Sequence, residues 1–498
     1  QAWVALATGL SFAFSRTYWS QAVIAEVYGQ ALLLVVLVMA QALRASERRN
    51  LRNLLLLGWL MGMGLTAHLM QVLVWPGIVA LLVWRWPGLL RQPLMLCKGI
   101  LAVVGGYSLV AYLPLRNGSG AGFHWDPIGD PVALWHHLSG SQYRTSFFSL
   151  PLEGMVLNAE RWLAQVGGEF HLLLLPISIW GLVAAWRLDR SALVVICGAI
   201  GCNLFAALNY HRDPNGLPVF YLLSLAGLAV LLGMGFGDLV RRVGRYNRPK
   251  ILIPVCAIAV SVVLTDHYAA SDRSQNWVAD RYGRDILADL PRGAILIAEG
   301  DDAAFILDYL LRIEGLRPDI ALYNRVGRGT DLLRWEEHEL PEKEQNLLRF
   351  RREGEMARKG QPLFYLVARR APLTGWTFAP EGLVYRLQAV ADRPTTTEHQ
   401  IEMGNAMDAG LHRDPWVRKI QSNYWFMAGE QRQWASDQPG AIAAYEQAAA
   451  LAYDSRSTRF NVALKLYKNK KLERAVEHAL AAAAIDPWKA DPYQLLAH

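Results

Sequence analysis

The ionisable side chains with chemistry to offer in this sequence stand beside long apolar runs, where an ordinary surface charge would not be kept. Glu26 lies in FSRTYWSQAVIAEVYGQ, read here as about one turn into an apolar helix, with Arg16 and Tyr28 close enough to be its partners. A charge in or beside a bilayer is costly, so each is a candidate for binding or catalysis. A structural ion pair with Arg16 is the plainer reading of Glu26. His68, in GLTAHLM, falls at a turn between two apolar runs, where the turn itself can satisfy the ring.

A 46-residue stretch from Leu115 to Glu160 mixes Trp, His, Asp and Arg with apolar residues, as an interfacial helix or a substrate-facing lid would. Asp126 and Asp130 are four apart, a spacing that suggests paired carboxylates for acid-base work. Asp130 precedes Pro131 and the helical pattern VALWHHL, which reads as an N-cap followed by proline at the first helical position. Asp126, between Trp125 and Pro127, stays open. Arg116 and Arg144 suit bidentate phosphate recognition at a membrane surface, and lipid headgroups would satisfy them equally well. Adjacent His136 and His137 face different ways on a helix, so they make no metal pair. In the second half Glu299, Asp301 and Asp302 follow a strand pattern, where α/β folds place ligands, but no glycine-rich phosphate loop accompanies them, and helix capping is the expected role of the two aspartates.

The elements that must position these residues follow from the charge distribution. Residues 1–268 hold 19 Lys and Arg and 11 Asp and Glu, whereas residues 269–498 hold 31 and 32. A first part so poor in charge cannot be a soluble globule, while the second has a normal soluble composition. The excess of base belongs to membrane loops, so no nucleic-acid partner is implied. Apolar runs occur at about 21–43, 54–68, 70–84, 94–114, 170–186, 192–208, 218–239 and 251–267, after a partial run from Ala2 to Phe14. That makes about nine segments, with 54–83 read as a tight helical hairpin. Basic clusters at Arg44 to Arg52, Arg85 to Lys98, Arg187 with Arg190, and Arg241 to Lys250 fall in alternate connections. The bias of Lys and Arg towards cytoplasmic loops then places everything after about Asp266 outside the cytoplasm. The opening run is shorter than a full span, and an N-terminal portion is expected to be missing. All four cysteines lie in or beside apolar runs, so neither a disulfide framework nor a metal site is expected.

In the second half, strand patterns at Gly293 to Glu299, Asp319 to Tyr323, Pro362 to Ala368 and Gly382 to Leu387, with helical periodicity over Ala303 to Glu314, predict a small α/β domain over 269–392. Residues 393–498 are helical. Within about 430–498, AIAAYEQAAALAY from Ala441 and AVEHALAAAAIDP from Ala475 recur at an offset of 34 residues, the tetratricopeptide period. Such a tail would hold a protein or glycan partner.

The stretches FSRTYWSQAVIAEVYGQ, GLTAHLM, YLPLRNG with FHWDPIGDP and SQYR, ALNYHRDPNGLPVFYLLSLAGLAVLLGMG, and AILIAEGDDAAFILDYLLRIEGLRPDIAL occur in order. In this the chain resembles a largely uncharacterised bacterial membrane family related to the animal endoplasmic-reticulum protein O-mannosyltransferase, a glycosyltransferase of the GT-C type. The resemblance covers roughly residues 1–325. It implies a polytopic helical GT-C-like membrane domain, residence in the inner (cytoplasmic) membrane, and transfer of a sugar, mannose being one candidate, from a polyprenyl-phosphate donor to an extracytoplasmic protein or glycan. The lipid-linked sugar is then a substrate, and no cofactor is expected. The family's acidic catalytic motif in the first outer loop has no counterpart here, so its carboxylate is expected upstream of Gln1. Glu26, Asp126 and His68 are second-tier catalytic candidates, and Arg16, Arg116 and Arg144 the phosphate-binding ones. The competing reading is a membrane-anchored tetratricopeptide scaffold without catalysis.

Overall fold

The computed structural model describes residues 2–117, 128, 130–170, 174–244, 252–325, 331–392, 401 and 412–497. The chain divides into two compact units, residues 1–119 with 134–273 and residues 120–133 with 274–498.

The first unit is helical. Its elements are α1 (Ala2–Ala13), α2 (Arg16–Ala22), α3 (Tyr28–Arg48), α4 (Leu51–Ala67), α5 (Trp75–Arg85), α6 (Pro93–Tyr107) and α7 (Tyr112–Asn117). After α8 (Pro131–Leu138) come α9 (Leu152–Glu169), α10 (Leu175–Leu188), α11 (Arg190–Leu208), α12 (Leu222–Gly244) and α13 (Leu252–Ser271). Five stretches are long and apolar enough to cross a membrane: Tyr28–Arg48, Pro93–Asn117, Arg190–Leu208, Pro218–Arg242 and Ile253–Ser271. Four shorter apolar helices, Ala2–Ala13, Leu51–Ala67, Leu69–Arg85 and Leu175–Leu188, accompany them. This is a membrane protein, and the nine apolar runs correspond to these nine stretches. Polar caps start the spans where the apolar pattern begins. Asn50 accepts the Asn53 amide at 3.0 Å, and Asp189 accepts those of Ser191 and Ala192 at 3.1 and 3.0 Å.

Glycines bring the helices together. A Cβ on Gly62 would lie 2.0 Å from the Val103 carbonyl oxygen, and one on Gly106 2.2 Å from that of Trp59, so α4 and α6 touch backbone to backbone. Gly181 and Gly235 do the same between α10 and α12. The basic clusters gather at one end. Arg48 and Arg49 close α3, Arg85 closes α5, and the guanidinium groups of Arg187 and Arg242 lie 6.0 and 5.0 Å from the Trp180 ring, whose indole N–H donates to Asp238 at 3.0 Å.

The second unit carries a five-stranded sheet in the order β2-β1-β3-β5-β4, formed by β1 (Ile295–Ala298), β2 (Ala321–Asn324), β3 (Leu363–Tyr365), β4 (Trp376–Glu381) and β5 (Val384–Ala389). β1 pairs in parallel with both β2 and β3, and β5 runs antiparallel to β3 and β4. Helices α14 (Val278–Ala288), α15 (Asp301–Asp308) and α16 (Glu342–Arg358) accompany the sheet. The β1-α15-β2 unit is the one the periodicity implies. Strand β4 has no clear alternation in sequence and was not among the expected strands. Its turn into β5 needs Gly382, at φ +56°, where a Cβ would strike the Asp289 carboxylate. Beyond the sheet run α17 (Pro415–Trp434), α18 (Gln438–Leu451), α19 (Arg456–Lys468), α20 (Leu472–Ile485) and α21 (Asp491–Leu496). Side chains of Asp414, Asp437 and Ser455 cap α17, α18 and α19. Ala441, Ala448, Ala475 and Ala482 are all buried.

Candidate functional site

At the end of the membrane unit away from the arginine clusters, the starts and stops of several helices converge. Tyr28 opens α3 and its ring lies 5.2 Å from that of His68, the residue between α4 and the 3-10 turn Leu69–Val74. The His68 Nδ1 accepts the Met70 amide at 3.0 Å, which assigns the ring proton to Nε2. That N–H has no partner among the described residues. Gln71, fully buried, donates from Nε2 to the Ala31 carbonyl at 2.9 Å, while its Oε1 is left without a partner.

The other wall is built by residues 141–148 docked on residues 209–211. The Phe148 amide donates to Asn209 at 2.8 Å and the His211 amide to Ser146 at 2.9 Å, on either side of a Phe147–Tyr210 bridge. The Tyr210 ring packs 4.5 Å from Phe147 and 4.6 Å from Phe220, and Arg212 covers Phe220 at 5.3 Å. The Tyr28 hydroxyl is within electrostatic reach of Glu26, Arg212, Tyr143 and Tyr210.

Below this cluster lies a buried polar layer. Glu169 accepts from the backbone and side chain of Thr17 and from Gln165, and His267 meets the carbonyls of Phe14 and Gly168 at 2.8 and 2.9 Å. These bonds tie α2, α9 and α13 together, so every polar group in them has a structural use.

The sequence candidates distribute unevenly over this frame. Glu26 is not one turn inside a helix: it sits in the bend between α2 and α3, exposed, accepting only the Val27 amide at 3.3 Å. The apolar run from 21 is broken there, and only the part from Tyr28 is a span. Nor do Glu26 and Arg16 pair. Arg16, at the start of α2, and Arg144, in the 3-10 turn Ser141–Ser146, are exposed and carry no ion pair among the described residues. Arg116 is in the last turn of α7. Asp126 lies outside the described residues. Asp130 does cap α8, accepting the Val132 and Ala133 amides at 2.7 and 2.9 Å. Thus Glu26 and His68 come together around Tyr28. Sequence reasoning missed Arg212 and Tyr143. Their signal was the pair of aromatic-basic stretches SQYR and NYHRDP, which dock on each other through backbone bonds that composition does not reveal.

In the second unit the expected capping role fails. Gly300 is the N-cap of α15 and no side chain caps it; Asp302 pairs instead with Lys419, and Glu299 with Arg369. Among the described residues no group of three or more His, Cys, Asp or Glu could hold a metal.

With a neutral imidazole N–H from His68, the Arg212 guanidinium and the Glu26 carboxylate beside Tyr28, the membrane-unit cluster can bind a phosphate ester and orient a hydroxyl. Residues 1–89 match the N-terminal domain of protein O-mannosyl-transferase TMEM260. The mouse protein O-mannosyl-transferase TMEM260 is 28% identical over 355 residues, covering 64% of this chain and 48% of the relative. The chain spans about half the length of the curated relative it matches. It is related to the animal endoplasmic-reticulum O-mannosyltransferase.

Proposed function

We propose that this chain belongs to a membrane glycosyltransferase of the GT-C type that transfers a sugar, mannose in the first instance, from a polyprenyl-phosphate donor to an extracytoplasmic protein or glycan. One observation carries the reading: the segment that matches the O-mannosyl-transferase domain is the one that contributes Glu26, Tyr28, His68 and Gln71 to the cluster. In this reading Arg144 and Arg212 hold the donor phosphate and the His68 Nε2–H donates to it, with Arg16 and Arg116 as further phosphate ligands. Glu26 orients the acceptor hydroxyl or balances the cations, and Asp126 is an alternative carboxylate. The arginine-rich end faces the cytoplasm of an inner-membrane protein, following the charge bias of membrane loops, and the second unit is extracytoplasmic. Its helical tail acts as a tetratricopeptide-type surface for a protein partner.

The test is sugar transfer from polyprenyl-phosphate mannose by the reconstituted protein carrying this chain. A charge-assisted hydrogen bond contributes about 1.5–3 kcal/mol, so Arg144→Ala and Arg212→Ala should each lower kcat/KM roughly 10- to 100-fold without lowering folded yield. Absence of transfer from every lipid-linked sugar tried would replace this reading by the scaffold.

A further inference from the structure

Helix α9 lies across the ends of its neighbours. The Asn158 amide donates to the Leu208 and Tyr210 carbonyls at 3.2 and 3.3 Å, at the close of α11. The Trp162 indole donates to Ser224 at 3.1 Å, near the start of α12, and Gln165 to the Pro218 carbonyl at 3.2 Å. Gly168 meets His267 near the close of α13. These contacts occupy one face of α9. The opposite face is a ridge of Leu152, Val156 and Leu163, exposed by 70, 50 and 62%. Spacings of four and seven put all three on one line along a helix. An open groove of about 400 Å³, lined by Leu152, Glu153, Val156, Leu157 and Glu160, runs beside the ridge.

The occupant is indicated by what the ridge continues into. Phe148, just before α9 and 64% exposed, packs 5.6 Å from Phe205, itself exposed on the span α11. The ridge of α9 therefore begins four residues after an aromatic side chain that packs on the exposed face of a membrane span. Glu153 and Glu160 stand roughly a quarter turn around the helix from the ridge, exposed and with no ion pair among the described residues, as charges at a headgroup boundary would. We propose that this ridge of α9 beds in the headgroup-acyl boundary of the adjacent lipid leaflet, anchoring the candidate site to the membrane surface. Because its flanking charges are acidic, apolar burial holds it there, and anionic lipid is not required.

The test uses the whole protein in phosphatidylcholine vesicles, with Cys97, Cys197, Cys202 and Cys256 replaced and a nitroxide attached at Leu152→Cys, Val156→Cys or Leu163→Cys. Val104→Cys, exposed on the span containing α6, is the lipid reference, and Lys470→Cys, exposed in the second unit, the water reference. Collision with oxygen over collision with a water-soluble nickel chelate should stand well above the Lys470 value at all three ridge positions and below that of Val104, which lies near the middle of its span. A ratio like that of Lys470 overturns the proposal. So does spin-spin broadening that grows with protein-to-lipid ratio, which would make the occupant a second copy of the chain. If the cysteine-free protein does not fold, a photoreactive residue at Val156 in the native background decides: crosslinks to lipid support the proposal, and crosslinks to protein alone overturn it.

Discussion

Charges are treated differently in the two units. In the second, the buried ones are consumed by pairing. Arg325 grips the fully buried Glu353, with Tyr365 donating to the same carboxylate at 3.2 Å; Arg349 holds Asp331 at 2.6 Å; and Glu430 accepts from Tyr385, Tyr445 and Lys465 together. Burial, with the Glu430 carboxylate beside it, pushes the Tyr385 hydroxyl well up from its ordinary range. At the converging helix ends of the membrane unit, by contrast, Glu26, Arg16, Arg144 and Arg212 have no ion pair among the described residues. Paired charges stabilise a fold when their geometry is complete, whereas unpaired charges at a membrane surface contribute little to it. The difference teaches where to look for chemistry: the unpaired charges at the converging helix ends of the first unit are available to a ligand, and the buried pairs of the second are not.

The comparison breaks first at Glu353. Replacing it by alanine leaves Arg325 largely buried beside Tyr365, with Glu299 as the nearest remaining carboxylate at 3.9 Å. Removing one partner of such a pair costs about 3–5 kcal/mol. Hydrogen exchange at β1 and β3 amides in the whole chain should accelerate accordingly, and a loss below about 1 kcal/mol would show that the pairing is not what holds these strands.

Next in size is Gly106→Leu, which acts on the first unit through packing alone. The added side chain must displace the α4 backbone at Trp59, and overpacking of a tight contact typically costs about 1–3 kcal/mol. The expected outcome is a lower thermal midpoint and reduced monodisperse yield in detergent. An unchanged midpoint would mean that α4 and α6 do not touch at this level.

These two cases also show what could be read before the structure. The apolar runs, the cap at Asp130 and the β1-α15-β2 unit follow from local patterns, because each depends on residues within a few positions of one another. The contact surface at Gly62 does not follow in that way, since it depends on Val103 in a different helix. Glu26 was misplaced for a similar reason: AVIAEV is apolar enough to continue a helix, yet the chain bends there and the helix starts at Tyr28. Of the site, His68 and Glu26 were legible as charges out of place. Arg212 was not, because it reaches the cluster only through the docking of residues 141–148 on 209–211.

A smaller effect sharpens the contrast in solution. Hydrogen bonds from Arg352, helped by the Arg334 amide, hold the Glu337 carboxyl down at about 2. A depressed carboxyl pKa favours the fold above the unfolded value of about 4.3 and loses that contribution as pH falls towards the folded value. Protection of the Arg334 amide, which donates to Glu337 at 2.7 Å, should therefore be constant from neutral pH down to about 4 and fade only in stronger acid. Release near pH 5 would mean that the Arg352 contact is not kept in water.

The smallest effect on stability belongs to Glu26→Gln, and that is why it is informative. The substitution keeps size and hydrogen bonding and removes only the charge. Since Glu26 is exposed and accepts a single backbone amide, the folded protein should change by no more than about 0.5 kcal/mol, within the range of ordinary surface substitutions. Were Glu26 the partner of a buried arginine, the loss would instead run to several kcal/mol, as for Glu353. Activity separates the remaining readings. A carboxylate that orients an acceptor hydroxyl should cost at least tenfold in kcat when neutralised, with the midpoint of unfolding unmoved. Wild-type transfer by Glu26→Gln removes Glu26 from the site and leaves His68 and the arginines to account for the cluster, whereas a drop in stability without a change in kcat restores the structural pair that the geometry argues against.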